Sequence, residues 1–62
     1  MKRWKGTINW FGELHEFETS ALTLSKARTN IVYQFSKKFD ISIRRVSIYL
    51  KSNADRWSVK EI

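Results

Sequence analysis

The stretch from Leu24 to Phe39 fixes more about this chain than any other. Leu24, Ala27, Ile31, Val32, Phe35 and Phe39 recur at helical spacing. At 100° per residue they form one stripe about 140° wide. Lys26, Thr29, Asn30, Tyr33, Ser36 and Lys37 fall on the opposite side. A helix with one apolar stripe has to cover a second apolar surface. The segments on either side of it alternate apolar and polar residues with the period of a strand. The expected fold class is therefore α+β, with a single helix packed on one face of a mainly antiparallel sheet.

Arg3 to Trp10 places Trp4, Gly6, Ile8 and Trp10 on one face and Arg3, Lys5, Thr7 and Asn9 on the other. Phe11-Gly12 breaks the run, and Glu13 to Thr19 alternates again. A two-residue turn at Phe11-Gly12 sets Trp10 opposite Glu13, Ile8 opposite His15, Gly6 opposite Phe17 and Trp4 opposite Thr19. Trp4, Ile8 and Phe17 then share the face toward the helix, and Lys5 meets Glu18 on the other. A slip of one residue would mix the two faces. Gly6 leaves room for the Phe17 ring to lie across the strand. Phe11 is a poor residue for positive φ, so a four-residue loop in the same register is the alternative.

Thr23 is the expected N-cap of the helix, with Ser20 as the earlier alternative. Lys37 and Lys38 suit the negative end of its dipole. Ile41 and Ile43 are expected under the helix end, with Ser42 starting a brief turn. Arg45 to Leu50 reads as a third strand, with Val46, Ile48 and Leu50 inward and Arg45, Ser47 and Tyr49 outward. After a polar loop from Lys51 to Asp55, Arg56 to Ile62 reads as a short edge strand guarded by charge. The architecture expected is ββαββ in one domain spanning residues 1–62. The preferred strand order is 2-1-3-4, and a third strand parallel to the second is the alternative.

A chain of 62 residues without cysteine cannot use a disulfide or a thiolate zinc site for stability. It depends on a dense core, for which three Trp, four Phe and two Tyr are available. Twelve Lys and Arg against six Asp and Glu give a net charge of +6. That excess favours an anionic partner, either nucleic acid or an acidic protein surface. No apolar run follows Met1-Lys2-Arg3, and none has the length of a membrane span. A cytoplasmic protein, monomeric or homodimeric and without membrane contact, is expected.

Catalytic constellations are not evident. Alternation sends Glu13 and His15 to one face and Glu16 and Glu18 to the other, so no three metal ligands converge. No second histidine or glycine-flanked serine supports a nucleophile, and neither glycine belongs to a phosphate-cradling loop. No enzyme, cofactor or metal is expected. The basic residues are arranged better for binding. Lys26, Arg28, Lys37, Lys38, Arg44 and Arg45 would contact phosphate, with Asn30, Tyr33 and Gln34 fixing register. Lys37, Lys38, Arg44 and Arg45 are expected to cluster at the helix end. The open face of the sheet, with Arg3, Lys5, Thr7, Asn9, Arg45, Ser47, Tyr49 and Lys60, is a second surface. Trp4 and Trp57 are expected in the core. Trp10 and Phe11 at the hairpin tip, with Leu14 and Tyr33, would anchor a protein partner instead.

The run Trp4-Lys5-Gly6-Thr7-Ile8-Asn9-Trp10, then Gly12-Glu13, Phe17, Thr19, Ala21, Ala27, Asn30, Tyr33-Gln34 and Lys37-Lys38, resembles small uncharacterised proteins of bacteriophage and prophage genomes. That resemblance implies action on host machinery or nucleic acid. The hairpin–helix–strand order also resembles archaeal ribosomal protein LX, which implies ribosomal RNA as partner. The fourth strand and the acidic second strand depart from it, and no residue is carried over. The expectation is a small, basic, non-enzymatic nucleic-acid-binding module, with an inhibitor or adaptor of a host protein as the alternative.

Overall fold

The computed structural model describes all residues 1–62. β1 (Lys2–Trp10) and β2 (Glu13–Ala21) form an antiparallel hairpin in the expected register, with Ile8 opposite His15 and Gly6 opposite Phe17. The turn has two residues, both at positive φ: Phe11 at 51° and Gly12 at 93°. A phenylalanine is unusual in that region. Here its N–H donates to the Tyr49 hydroxyl at 3.1 Å and its ring packs 4.8 Å from that of Tyr49. Asn9 closes the turn by accepting the Gly12 N–H at 2.8 Å on its side-chain oxygen.

α1 (Leu24–Phe39) begins at Thr23, whose hydroxyl accepts the Lys26 N–H at 3.3 Å. It ends at Asp40, a left-handed residue whose N–H bonds to Ser36 O. Ala27, Ile31 and Phe35 are buried, as the stripe requires, while Leu24 and Phe39 at its ends stay partly exposed. Gly6 has a different purpose from the one expected. A Cβ there would lie 2.8 Å from Ile31 Cγ1 and 2.9 Å from Cγ2. The bare strand lets the helix settle onto the sheet through Ile31, rather than making room for Phe17.

The expected third strand is a helix, α2 (Ile43–Ser52). Val46 and Leu50 are buried, but Ile48 is 58% exposed. Val46 and Leu50 are four residues apart, so they share a helix face as readily as a strand face. Ile48 breaks the tie, because at about 200° from Val46 it points away from the core. The helix starts at Ser42, whose hydroxyl accepts the Arg45 N–H at 3.2 Å. The brief turn expected at Ser42 is this N-cap. Ile41 packs against the core as expected, whereas Ile43 is 47% exposed. A short 3-10 turn (Ala54–Arg56) leads into β3 (Trp57–Glu61).

The sheet therefore has three strands in the order β2-β1-β3, all antiparallel, and two helices cover one face. The place beside β1 expected for residues 45–50 belongs to the C-terminal strand, with Trp57 opposite Ile8. Ile8, Phe17, Ile31, Phe35, Val46 and Leu50 form the main core. Burying side chains of this size contributes about 1.5–3 kcal/mol each. A second cluster joins Trp4, Ala21 and Ala27, and the Trp4 indole N–H donates to Ala21 O at 2.9 Å. No helix is long and apolar enough to cross a membrane.

Candidate functional site

Charge divides between the two layers. The three strands carry Lys2, Arg3, Lys5 and Lys60 against Glu13, Glu16, Glu18 and Glu61, and so are neutral. Residues 22–56 carry eight bases against Asp40 and Asp55, which accounts for the whole net charge. The ion pairs follow the same division. Arg3 meets Glu18 at 2.6 Å, Lys5 meets Glu16 at 3.3 Å and Lys2 meets Glu61 at 3.8 Å. Lys5 stands opposite Glu18 as expected, but the ion pairs run to the neighbours, Arg3 to Glu18 and Lys5 to Glu16. None of the eight bases in residues 22–56 forms an ion pair, and all eight are exposed. Neither helix has an acid in its first turn to offset its positive end.

The amides expected to read a partner are engaged within the fold. Asn30 Nδ2 donates to Thr19 Oγ1 at 3.2 Å, and Gln34 Nε2 donates to Glu18 O at 3.0 Å. Together they fasten α1 along the outer edge of β2, which also shields that edge from other strands. Lys38 continues this side of the helix, with its amine 5.7 Å from the Phe17 ring centre and 5.6 Å from that of Phe39. Lys37 lies over Tyr33 at 5.4 Å.

Arg44 and Arg45, expected at the entry to a third strand, lie in the first turn of α2, and of the bases expected together at the helix end, Arg45 borders a different hollow from Lys37 and Lys38. Lys37 and Lys38 border a shallow hollow with Phe17, Tyr33 and Gln34. Arg45 borders another, near the hairpin tip, with Phe11, Ile48 and Tyr49. The open sheet face likewise lacks the Arg45, Ser47 and Tyr49 assigned to it. Tyr49 instead donates its hydroxyl to Asn9 O at 2.9 Å.

The largest hollow, about 630 Å³, is a trough between α1 and α2. Leu24, Val32, Tyr33, Ile43, Leu50 and Trp57 supply its apolar surface. Arg28 and Lys51 are its charged residues, and no carboxylate borders it. The Arg28 guanidinium sits 5.4 Å from the Trp57 ring centre. Trp57 is half-buried, as its expected place in the core allows. Of the residues expected to bind phosphate, only Arg28 lies in this trough, together with the assisting Tyr33. The sequence alone places Lys51 in a loop and Ile43 under the helix end. The signal for both was Ser42 followed by Ile43, Val46 and Leu50 at helical spacing.

At the hairpin tip Trp10 is not an exposed anchor. Its ring lies 5.0 Å from Phe35 and 4.4 Å from Tyr49. Phe11 and Leu14 are 73% and 70% exposed. His15 is half-buried at the rim of the core, with its ring 4.7 Å from that of Phe39.

Comparison with protein-family models, with curated proteins and with solved structures returns no match.

Proposed function

We propose that this chain is a small non-enzymatic nucleic-acid-binding module that meets its partner through the helical layer. The observation that carries this reading is the division of charge. Seven exposed bases without ion-pair partners stand on the two helices, whereas three of the four bases on the strands pair with carboxylates. Unpaired cations on one side of a small domain suit a polyanion, whose counterions they replace. Lys26, Arg28, Lys37, Lys38, Arg44 and Arg45 contact phosphate in this reading, and Lys51 joins them. Asn30 serves the fold rather than the partner.

The test is titration of DNA and RNA by fluorescence anisotropy over a range of salt concentrations. Affinity falls linearly on a log–log plot as salt rises, and falls less steeply after Lys37→Ala with Lys38→Ala. Absence of binding at low salt to either nucleic acid overturns the reading.

A second reading rests on Phe11, which is held at positive φ with most of its ring in solvent. An exposed aromatic in a costly backbone conformation suits an anchor for a protein partner. Under that reading a partner is retained at fixed stoichiometry by the wild type and lost with Phe11→Asn, which suits the turn.

A further inference from the structure

We infer that the trough between α1 and α2 receives unpaired bases, so that the preferred partner is single-stranded nucleic acid rather than a duplex; this rests on the nucleic-acid reading above.

Three properties of the trough support this. The first is shape and size. It follows α1 from Leu24 to Tyr33, a length of about 14 Å at 1.5 Å per residue. Its volume of about 630 Å³ falls within the range of about 300–1,000 Å³ typical of small-molecule sites. A recess of that kind takes a base turned out of a strand. A duplex keeps its bases stacked inside and offers only phosphates and groove edges.

The second property is the surface. The trough offers planar groups on which bases stack: the half-exposed Tyr33 ring, and the Arg28 guanidinium lying on Trp57. Bases stack on aromatic rings and on guanidinium planes alike. The apolar remainder, including Val32 and Ile43, rewards burial of a base and offers nothing to a phosphate.

The third property is charge. Arg28 on α1 and Lys51 on α2 border opposite sides of the trough, and no carboxylate accompanies them. Cations beside an apolar recess place phosphates outside while the bases lie within. An apolar peptide would leave both cations unanswered.

The experiment uses the full chain and four labelled probes: an oligothymidylate of about twelve nucleotides, an oligouridylate of the same length, and the duplex of each with its adenylate complement. At least one single strand binds about tenfold tighter than its duplex, in line with stacking contributions. Ser47→Leu fills the trough from the exposed side of α2 without changing charge or adding a ring on which a base could stack. It lowers single-strand affinity about tenfold and leaves duplex affinity unchanged. Arg28→Gln with Lys51→Gln, both at exposed positions, reads the same loss of selectivity should Ser47→Leu unfold the chain. Circular dichroism establishes which variants are folded.

Equal affinity for strands and duplexes overturns the inference and leaves the nucleic-acid reading standing. A folded Ser47→Leu variant that binds single strands as the wild type does has the same consequence. No binding to any of the four probes at low salt removes both.

Discussion

The sheet and the helical layer treat charge in opposite ways. On the sheet, Arg3, Lys5 and Lys2 each have a carboxylate within 4 Å, and the strands are neutral as a set. On the helices and the turns beside them, eight bases have no ion-pair partner. Exposed pairs contribute little, about 0–1 kcal/mol each. Their consequence is to cancel the field on one side of the molecule. The unpaired bases repel one another, and only Arg28, Lys37 and Lys38 offset this with contacts to aromatic rings. A chain of 62 residues has little stability to spare, and the polyanionic partner proposed above would neutralise these bases.

The comparison is broken most severely where the two layers meet. Gly6→Ala drives a methyl group into Ile31, which is fully buried and cannot withdraw. Overpacking of this kind costs about 1–3 kcal/mol. Urea denaturation should show the midpoint falling by a corresponding amount, because the helical layer is lifted off the sheet. A wild-type midpoint would mean that Ile31 does not set the spacing between the layers.

A smaller effect is expected at the hairpin tip. Tyr49 on α2 donates to Asn9 O and accepts the Phe11 N–H, so one hydroxyl joins the second helix to the turn. Tyr49→Phe removes both bonds and keeps the ring against Trp10. The loss should be about 1 kcal/mol, with hydrogen exchange accelerated at the Phe11 amide before the rest of β1. Uniform protection across β1 and the turn would contradict it.

These two sites also show what the sequence makes legible. The hairpin register follows from Trp4, Ile8 and Phe17 needing one face, and the structure keeps it pair for pair. The bounds of α1 and its Thr23 cap follow from a stripe that only a helix gathers. The sequence reads as a strand at 45–50 because Val46 and Leu50 satisfy both periods while Ile48 fits only the strand, and the exposure of Ile48 is a tertiary outcome. The two-residue turn was legible by position, but what holds Phe11 in it was not. That depends on Tyr49, thirty-eight residues away. The site was partly legible for the same reason. The bases could be counted, but the Arg28–Lys51 trough exists only once residues 43–52 are helical. Asn30 and Gln34 looked free because nothing local shows that α1 lies along the edge of β2.

The measurement that tests the division of charge most directly removes two positive charges from either layer. One variant carries Arg3→Gln and Lys5→Gln, and the other Lys37→Gln and Lys38→Gln, so the net charge is the same in both. Salt dependence of nucleic-acid binding is then compared with wild type by anisotropy. The expected slope is reduced by about two for the helical variant and stays close to wild type for the sheet variant. Equal loss of slope in the two variants, or a larger loss in the sheet variant, would contradict it.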